Sequence, residues 1–101
     1  MRFGEYIRYC REQKGLTLKE LADALSVDIP MLSRYERGLR PFKENQLIII
    51  AKKLNVDYKC IRKLWVADKV LSVVNEEKEA TDILNIVANS ITEKHEPNYE
   101  S

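Results

Sequence analysis

Residues 17–38, TLKELADALSVDIPMLSRYERG, hold the pattern that decides the fold. Thr17 stands three residues before Glu20, which is a T-x-x-E capping box: the hydroxyl and the carboxylate satisfy backbone N–H groups at the start of a helix. Asp28 can cap a second helix by accepting backbone N–H bonds, and Pro30 fits its first turn because the missing N–H would have no partner there. The stretch therefore predicts two short helices joined by a tight turn.

Apolar residues at helical spacing also flank this stretch on both sides. They predict a first helix over residues 3–14, a fourth over residues 44–55, and a fifth, long or bent, beyond Asp57. Gly15 and Gly38 can take the left-handed backbone conformation that ends the first and third helices. A last helical stripe consists of Ala80, Ile83, Leu84, Val87 and Ile91. No alternating strand pattern occurs, so we predict an all-α fold.

Size and composition are those of a small globular protein. The 101 residues allow one domain with a modest core, and the apolar residues, 45% of the chain, form no membrane-length run. The chain start lacks a basic region followed by an apolar segment and a cleavage site. We therefore expect a cytoplasmic protein without a membrane partner.

The sequence offers little for metal or catalytic chemistry. Cys10 and Cys60 lie on separate helical patterns, and with His95 they supply neither the paired spacing nor the ligand number of a zinc site. No nucleophile stands beside a histidine, no glycine-rich phosphate loop occurs, and the neighbouring Glu76 and Glu77 point to different sides of a helix. We expect no metal, no cofactor, no small-molecule ligand and no enzymatic activity.

The net charge of +1 conceals two parts of opposite charge. Up to Trp65 the sequence has 14 Lys and Arg against 8 Asp and Glu, a net of +6; after Trp65 it has 3 against 8, a net of −5. A basic first part suits a polyanion because neutralised phosphates release counterions, whereas DNA repels an acidic part. Ordinary scatter of surface charge is the alternative explanation.

Short stretches of the first part resemble the phage-repressor and Cro-like helix-turn-helix regulators, also called the xenobiotic-response-element type. The matching stretches are Gly15-Leu16-Thr17, Glu20-Leu21-Ala22, Leu25-Ser26-Val27, Leu32-Ser33-Arg34, Glu36-Arg37-Gly38 and Ala51-Lys52-Lys53-Leu54-Asn55-Val56. The resemblance covers about residues 3–65. It implies a five-helix repressor-like domain over residues 1–65. Residues 66–101 lie beyond the resemblance, and their own pattern predicts a C-terminal helical extension that ends in a frayed tail at residues 97–101.

The resemblance further implies that the chain binds double-stranded DNA and regulates transcription, as phage-type repressors and restriction-modification controllers do. The third helix would enter the major groove and read bases with Asp28, Ile29, Pro30, Ser33 and Arg34. Arg34 is the strongest candidate because a guanidinium can bond both acceptors of guanine. Ser33 could instead bond a phosphate or only fill space, and Ile29 could contact a thymine methyl group or only pack.

Three basic residues would hold the DNA backbone rather than read bases. Arg37 is either a phosphate contact or a solvated side chain, and Arg40 and Lys43 follow in the loop that the family lays along the backbone. Arg11 and Glu36 occupy positions that the family uses for an ion pair, which removes Arg11 from the candidate DNA contacts. Breaking such a pair should destabilise the fold.

The sequence departs from the family pattern at three places. Leu18 stands where many relatives have a glutamine, Ser26 replaces the usual turn glycine, and Ile29 and Pro30 replace polar residues. These changes reduce the hydrogen-bonding capacity toward DNA. We expect sequence readout that is narrower or depends more on DNA shape.

The apolar stripe of the extension needs burial. It could pack on its own domain, or form a two-fold interface that sets two third helices about one DNA turn, roughly 34 Å, apart. We expect the second arrangement, a homodimer on an inverted-repeat operator. Candidate interface residues are Tyr58, Trp65, Val70, Val73, Ile83, Leu84 and Val87, with Trp65 as an anchor. The alternative function is a helical protein-interaction module, antitoxin-like or adaptor, with weak DNA readout.

Overall fold

The structure is a computed structural model that describes residues 1–95, with side chains described for residues 1–93. Six helices follow one another: α1 (Phe3–Gln13), α2 (Leu18–Leu25), α3 (Ile29–Glu36), α4 (Glu44–Leu54), α5 (Tyr58–Val74) and α6 (Ala80–His95). No strand occurs among the described residues, and the prediction of an all-α helix-turn-helix domain with a helical extension is confirmed. The expected frayed tail at residues 97–101 and the side chain of His95 lie outside the described residues.

Polar caps fix the residues at which α2 and α3 begin. The Glu20 N–H donates to Thr17 Oγ1 at 3.1 Å, and the Thr17 N–H donates to Glu20 Oε1 at 3.0 Å. The bond from the Thr17 backbone lowers the pKa of the Glu20 carboxyl. The Met31 N–H donates to Asp28 Oδ1 at 2.7 Å, and Pro30 lies in the first turn of α3. The caps satisfy N–H groups that have no partner within the helix, so both helices start where the sequence predicts.

Residues in the left-handed conformation end four of the helices. Gly15 (φ 70°) follows α1 and Gly38 (φ 77°) follows α3, as the residue type predicts. Ser26 (φ 56°) ends α2, and Asn55 (φ 53°) ends α4. This conformation costs a residue with a Cβ roughly 1–2 kcal/mol, and asparagine tolerates it better than serine. The turn between α2 and α3 is therefore a strained position.

Residues Met1–Lys69 form one compact unit around an apolar core. The core consists of Phe3, Ile7, Leu21, Ala22, Leu25, Leu32, Tyr35, Phe42, Leu47, Ile50, Ala51, Leu54 and Ile61. These residues come from α1 to α5 and from the loop before α4, so their burial fixes α3 against its neighbours. The unit extends a little beyond residue 65, where the family resemblance ends. Within it, Asp68 of α5 still bonds to the Arg2 side chain and to the Phe3 N–H.

Gly4 allows α1 to approach the end of α3 closely. A Cβ at this buried position would lie 2.6 Å from Glu36 O and closer still to Tyr35 O, and both atoms belong to the backbone. Only a residue without a Cβ fits this approach. The contact helps to hold the second half of α3 in place.

Residues Val70–Ser101 form a second compact unit, which in its described part consists of the end of α5 and of α6. Among its described residues, Val74 is buried and Ala80 and Ile83 are half-buried. Exposed apolar side chains are Val70, Leu71, Val73, Leu84, Ile86, Val87 and Ile91. The apolar stripe of α6 therefore remains largely open to solvent in the described part of the chain.

Candidate nucleic-acid interface

α2 and α3 are packed on each other and joined by three residues, Ser26, Val27 and Asp28. The buried side chains at this packing are Leu21, Ala22, Leu25 and Leu32. Leu32 and Tyr35 direct one face of α3 into the core, which leaves the opposite face of the helix in solvent. This exposed α3 face is the surface that a helix-turn-helix presents to the major groove.

The exposed α3 face carries the residues that the resemblance assigns to base reading. Asp28, Ile29, Pro30 and Arg34 are exposed, and Ser33 is half-buried. Ile29 and Ser33, and Pro30 and Arg34, are four residues apart and therefore lie on one side of the helix, while Asp28 precedes the helix as its N-cap. Within the described part of the chain, the Arg34 guanidinium makes no hydrogen bond or ion pair. Its N–H donors are therefore free to bond a ligand.

Two candidate residues also have bonds within α3. Asp28 Oδ1 accepts the bond from the Met31 N–H, so this carboxylate holds the start of the helix whether or not it contacts a base. Arg37 follows the helix as its C-cap, and its Nε donates to the Ser33 carbonyl at 3.4 Å. That bond is long and uses only one of the five guanidinium N–H groups, so Arg37 can still contact a phosphate.

The loop over residues 39–43 follows α3 and places Arg40 and Lys43 in solvent. Its buried residue is Phe42, whose ring stacks on the Tyr35 ring with centroids 4.9 Å apart. The stacking ties the loop to the buried side of α3. The two basic side chains are thus attached to the same rigid unit as the exposed α3 face.

Arg11 and Glu36 form a buried ion pair, in the arrangement that the resemblance implies. Arg11 Nε and Nη2 donate to the two carboxylate oxygens of Glu36 at 2.7 and 3.0 Å, and Nη1 donates to Leu16 O at 2.8 Å. The side chains are only 8% and 3% exposed. The bond with Glu36 raises the pKa of Arg11. These three bonds hold the Arg11 guanidinium inside the domain and join α1 to α3.

Two residues expected at a dimer interface lie against the core of their own unit. Tyr58 and Trp65 are both half-buried and packed on it. Trp65 Nε1 donates to Phe42 O at 2.8 Å, a bond between residues 23 positions apart. This bond and the close approach at Gly4 were not predicted from the sequence, because helical periodicity carries no signal for a specific contact between elements far apart in the chain. Among the other candidates, Val70, Val73, Leu84 and Val87 are exposed and Ile83 is half-buried.

The described residues contain neither a candidate metal site nor a membrane-spanning helix. In that part of the chain, no group of three or more His, Cys, Asp and Glu side chains could hold a metal ion. No described helix has the length and apolar character needed to cross a membrane. The two thiols are free, with Cys10 half-buried and Cys60 exposed, and the bond with Asp57 raises the pKa of Cys60.

Comparisons with known proteins agree with this geometry. Residues 7–59 match the helix-turn-helix family, and this segment contains α2, α3 and the loop that follows. The chain is 34% identical over 83 residues to the uncharacterized HTH-type transcriptional regulator YqaE of Bacillus subtilis (strain 168), a match that covers 82% of this chain and 67% of the relative. No solved structure matches significantly. The chain belongs to the xenobiotic-response-element type of the helix-turn-helix family, a family of DNA-binding transcriptional regulators.

Proposed function

We propose that the chain binds a specific double-stranded DNA sequence as a homodimer and regulates transcription from an inverted-repeat operator. The exposed α3 face carries the proposal: Arg34, which has no polar partner among the described residues, lies on a helix whose other side is packed into the core. A rigid helix limits the positions that a guanidinium can reach, which is what discrimination between base pairs requires. In this proposal Arg34 reads guanine, and Ser33, Asp28, Ile29 and Pro30 form the rest of the base-reading surface.

Arg37, Arg40 and Lys43 contact phosphates in the proposed complex. All three are exposed and lie between the end of α3 and the start of α4. Contacts of this kind set the register of the helix on the duplex without reading its sequence. They also make affinity dependent on salt, because each neutralised phosphate releases counterions.

The homodimer forms through the exposed apolar side chains of the second unit. Val70, Val73, Leu84 and Val87 are 40%, 78%, 38% and 46% exposed, respectively, and lie on α5 and α6. A cluster of apolar side chains in solvent marks an association surface in a small protein. A second copy of the same surface is the proposed occupant, because a two-fold interface is self-complementary and matches the symmetry of an inverted repeat.

Selection of bound sequences from a random duplex pool tests the DNA part of the proposal. We expect an enriched palindrome with two half-sites about one helical turn apart. Arg34→Ala should abolish discrimination between the selected duplex and unrelated duplexes, with a loss of about 1–3 kcal/mol in each half-site of the selected duplex. Arg40→Ala is the matched control, because it should weaken binding to all duplexes alike. Absence of any enrichment contradicts the proposal and favours a protein-interaction module, for which the apolar Ile29 and Pro30 are the sequence argument.

Sedimentation over a concentration series tests the dimer. Val73→Glu introduces a charge at the most exposed apolar residue of α5 and should convert the dimer to a monomer. Ile49→Glu is the control, since Ile49 is also an exposed apolar residue but lies on α4, in the first unit. Dissociation by Ile49→Glu, with Val73→Glu still dimeric, would place the interface on the first unit. A wild-type chain that stays monomeric yet binds the whole operator tightly would exclude the homodimer.

A further inference from the structure

Trp65 is the only tryptophan of the chain, and it faces its own domain from α5. Its indole Nε1–H donates to Phe42 O at 2.8 Å, and Lys69 Nζ lies 4.2 Å from the centroid of its ring. An indole N–H is a donor only, so this bond uses its full hydrogen-bonding capacity. The side chain is therefore engaged with the loop that follows α3.

The bonded peptide group is the one between Phe42 and Lys43, and it is held at both ends. Trp65 binds its carbonyl oxygen, while its N–H, which belongs to Lys43, donates to Gln46 Oε1 at 2.8 Å. A peptide group is planar, so two bonds at opposite ends fix the orientation of the plane. The direction in which the Lys43 side chain leaves the backbone follows from that orientation.

The Phe42 side chain is anchored separately. Its ring stacks on Tyr35 and meets the Phe3 ring edge-on, with centroids 5.6 Å apart and an interplanar angle of 82°. Ring packing holds the loop to the core. The peptide group after Phe42 could still rotate about the covalent bond between the Phe42 Cα and carbonyl carbon. Trp65 and Gln46 remove this remaining freedom.

We propose that Trp65 is a positioning residue for DNA binding: through its bond to the Phe42 carbonyl it orients Lys43 toward the phosphate backbone. The inference rests on the proposed function, because it takes the Lys43 side chain as a phosphate contact. Trp65 itself touches no DNA in this arrangement. Its partner is the loop, so it also differs from an anchor at a dimer interface.

A double-mutant cycle on DNA affinity tests the inference. Trp65→Phe keeps an aromatic ring and removes the N–H donor, and it should weaken binding to the selected operator and to unrelated duplexes alike, by about 3- to 10-fold. Lys43→Ala alone should also weaken binding to all duplexes. If Trp65 acts through Lys43, the double variant binds less than 2-fold more weakly than Lys43→Ala, about the limit of experimental additivity.

The salt dependence supplies a second readout that a purely structural role would not move. Loss of one phosphate contact makes the slope of log affinity against log salt concentration shallower by about 0.9, so loss of the contact in both half-sites of the operator makes it shallower by about 1.8. Trp65→Phe should therefore approach the slope of Lys43→Ala. Tyr6→Phe is the matched control, because Tyr6 is another half-buried aromatic residue packed on the core and loses one polar group. It should leave both slope and affinity unchanged.

If Trp65→Phe is too unstable to measure, Trp65 can be replaced by benzothienylalanine. In this residue sulfur takes the place of the N–H, and the shape of the side chain is kept. The same loss of affinity and slope is expected, with the sedimentation behaviour of the wild type. Additive effects in the cycle, an unchanged slope, or loss of the dimer would each overturn the positioning role. A wild-type chain that binds no duplex refutes the proposed function instead, so the two failures are distinguishable.

Discussion

At the scale of single residues, the Arg11–Glu36 pair is the interaction that we expect to be most sensitive to the loss of one partner. Both charged groups are buried, and the pair is stable only because each partner satisfies the other. Arg11→Ala would leave the Glu36 carboxylate buried without its counter-charge. We expect a loss of about 3–5 kcal/mol in the free energy of unfolding, measured by urea denaturation.

The exposed Lys19–Asp23 pair of α2 provides the control for that measurement. The bonded atoms, Lys19 Nζ and Asp23 Oδ2, are 2.8 Å apart, about as close as those of the buried pair. Both side chains, however, are mostly in solvent. Water screens such a pair, so Lys19→Ala should change the free energy of unfolding very little. Similar effects of Arg11→Ala and Lys19→Ala would contradict the structural role assigned to the buried pair.

At the scale of elements, a substitution in the turn between α2 and α3 should make the domain more stable. Ser26 has a left-handed backbone, which glycine adopts without steric cost. Ser26→Gly should therefore raise the free energy of unfolding by roughly 0.5–1 kcal/mol, after the extra entropy of an unfolded glycine is deducted. Thermal denaturation should show a higher midpoint.

Asn55→Gly is the comparison for Ser26→Gly, because Asn55 ends α4 with nearly the same φ. Asparagine tolerates the left-handed region, so its replacement should stabilise the domain less. Equal gains at the two positions would show that the residue type at the turn does not matter. A loss of stability in Ser26→Gly would mean that the serine side chain itself stabilises the turn.

The helix boundaries were predictable from the sequence because their causes are local. The capping box of Thr17 and Glu20, the cap at Asp28, and the glycines after α1 and α3 each act within a few residues. The exposed α3 face was predictable as well, since helical spacing separates Leu32 and Tyr35 from Arg34. Local rules therefore sufficed for the elements and for which side of α3 is exposed.

The contacts between distant elements were not predictable in the same way. The space at Gly4 depends on the backbone path of α3, and the Trp65 bond depends on where the loop carbonyl lies. Periodicity marked Trp65 only as an apolar residue that needs burial, which is equally consistent with an interface and with the core. A single sequence does not contain the position of the Phe42 carbonyl, which Trp65 bonds in the structure.

At the scale of the whole molecule, Asp68 closes the first unit by joining α5 to the chain start. Arg2 Nε donates to Asp68 Oδ1 at 2.6 Å, and the Phe3 N–H donates to the same oxygen at 3.1 Å. The bond with Arg2 lowers the pKa of the Asp68 carboxyl below its ordinary value of 3.8. A lowered pKa in the folded state stabilises the fold above the ordinary value, and the contribution disappears as the pH falls through the folded-state pKa.

Asp68→Asn should consequently be less stable than the wild type at neutral pH, and the difference should shrink as the pH falls below 3.8, the ordinary value for aspartate. Urea denaturation at a series of pH values measures this. Arg2→Ala removes the pair from the other side and should give the same pH profile. A stability difference that stays constant from neutral to acid pH would mean that the charge of Asp68 contributes nothing.

Because the chain forms two compact units, folding of the first unit can be tested separately from the dimer proposed for the second. Residues 1–69 contain the whole apolar core of the first unit and the exposed α3 face, so they should fold when expressed alone. They lack the apolar side chains proposed for the dimer. We expect this segment to bind a single half-site as the full chain does, but to bind the complete operator at least about 100-fold more weakly, because linkage of the two half-site contacts is lost.

Val73→Glu in the full chain is the control and should lose operator affinity to the same extent. If residues 1–69 bound the operator as tightly as the full chain, the second unit would have no part in operator recognition, and its apolar surface would have to serve another partner.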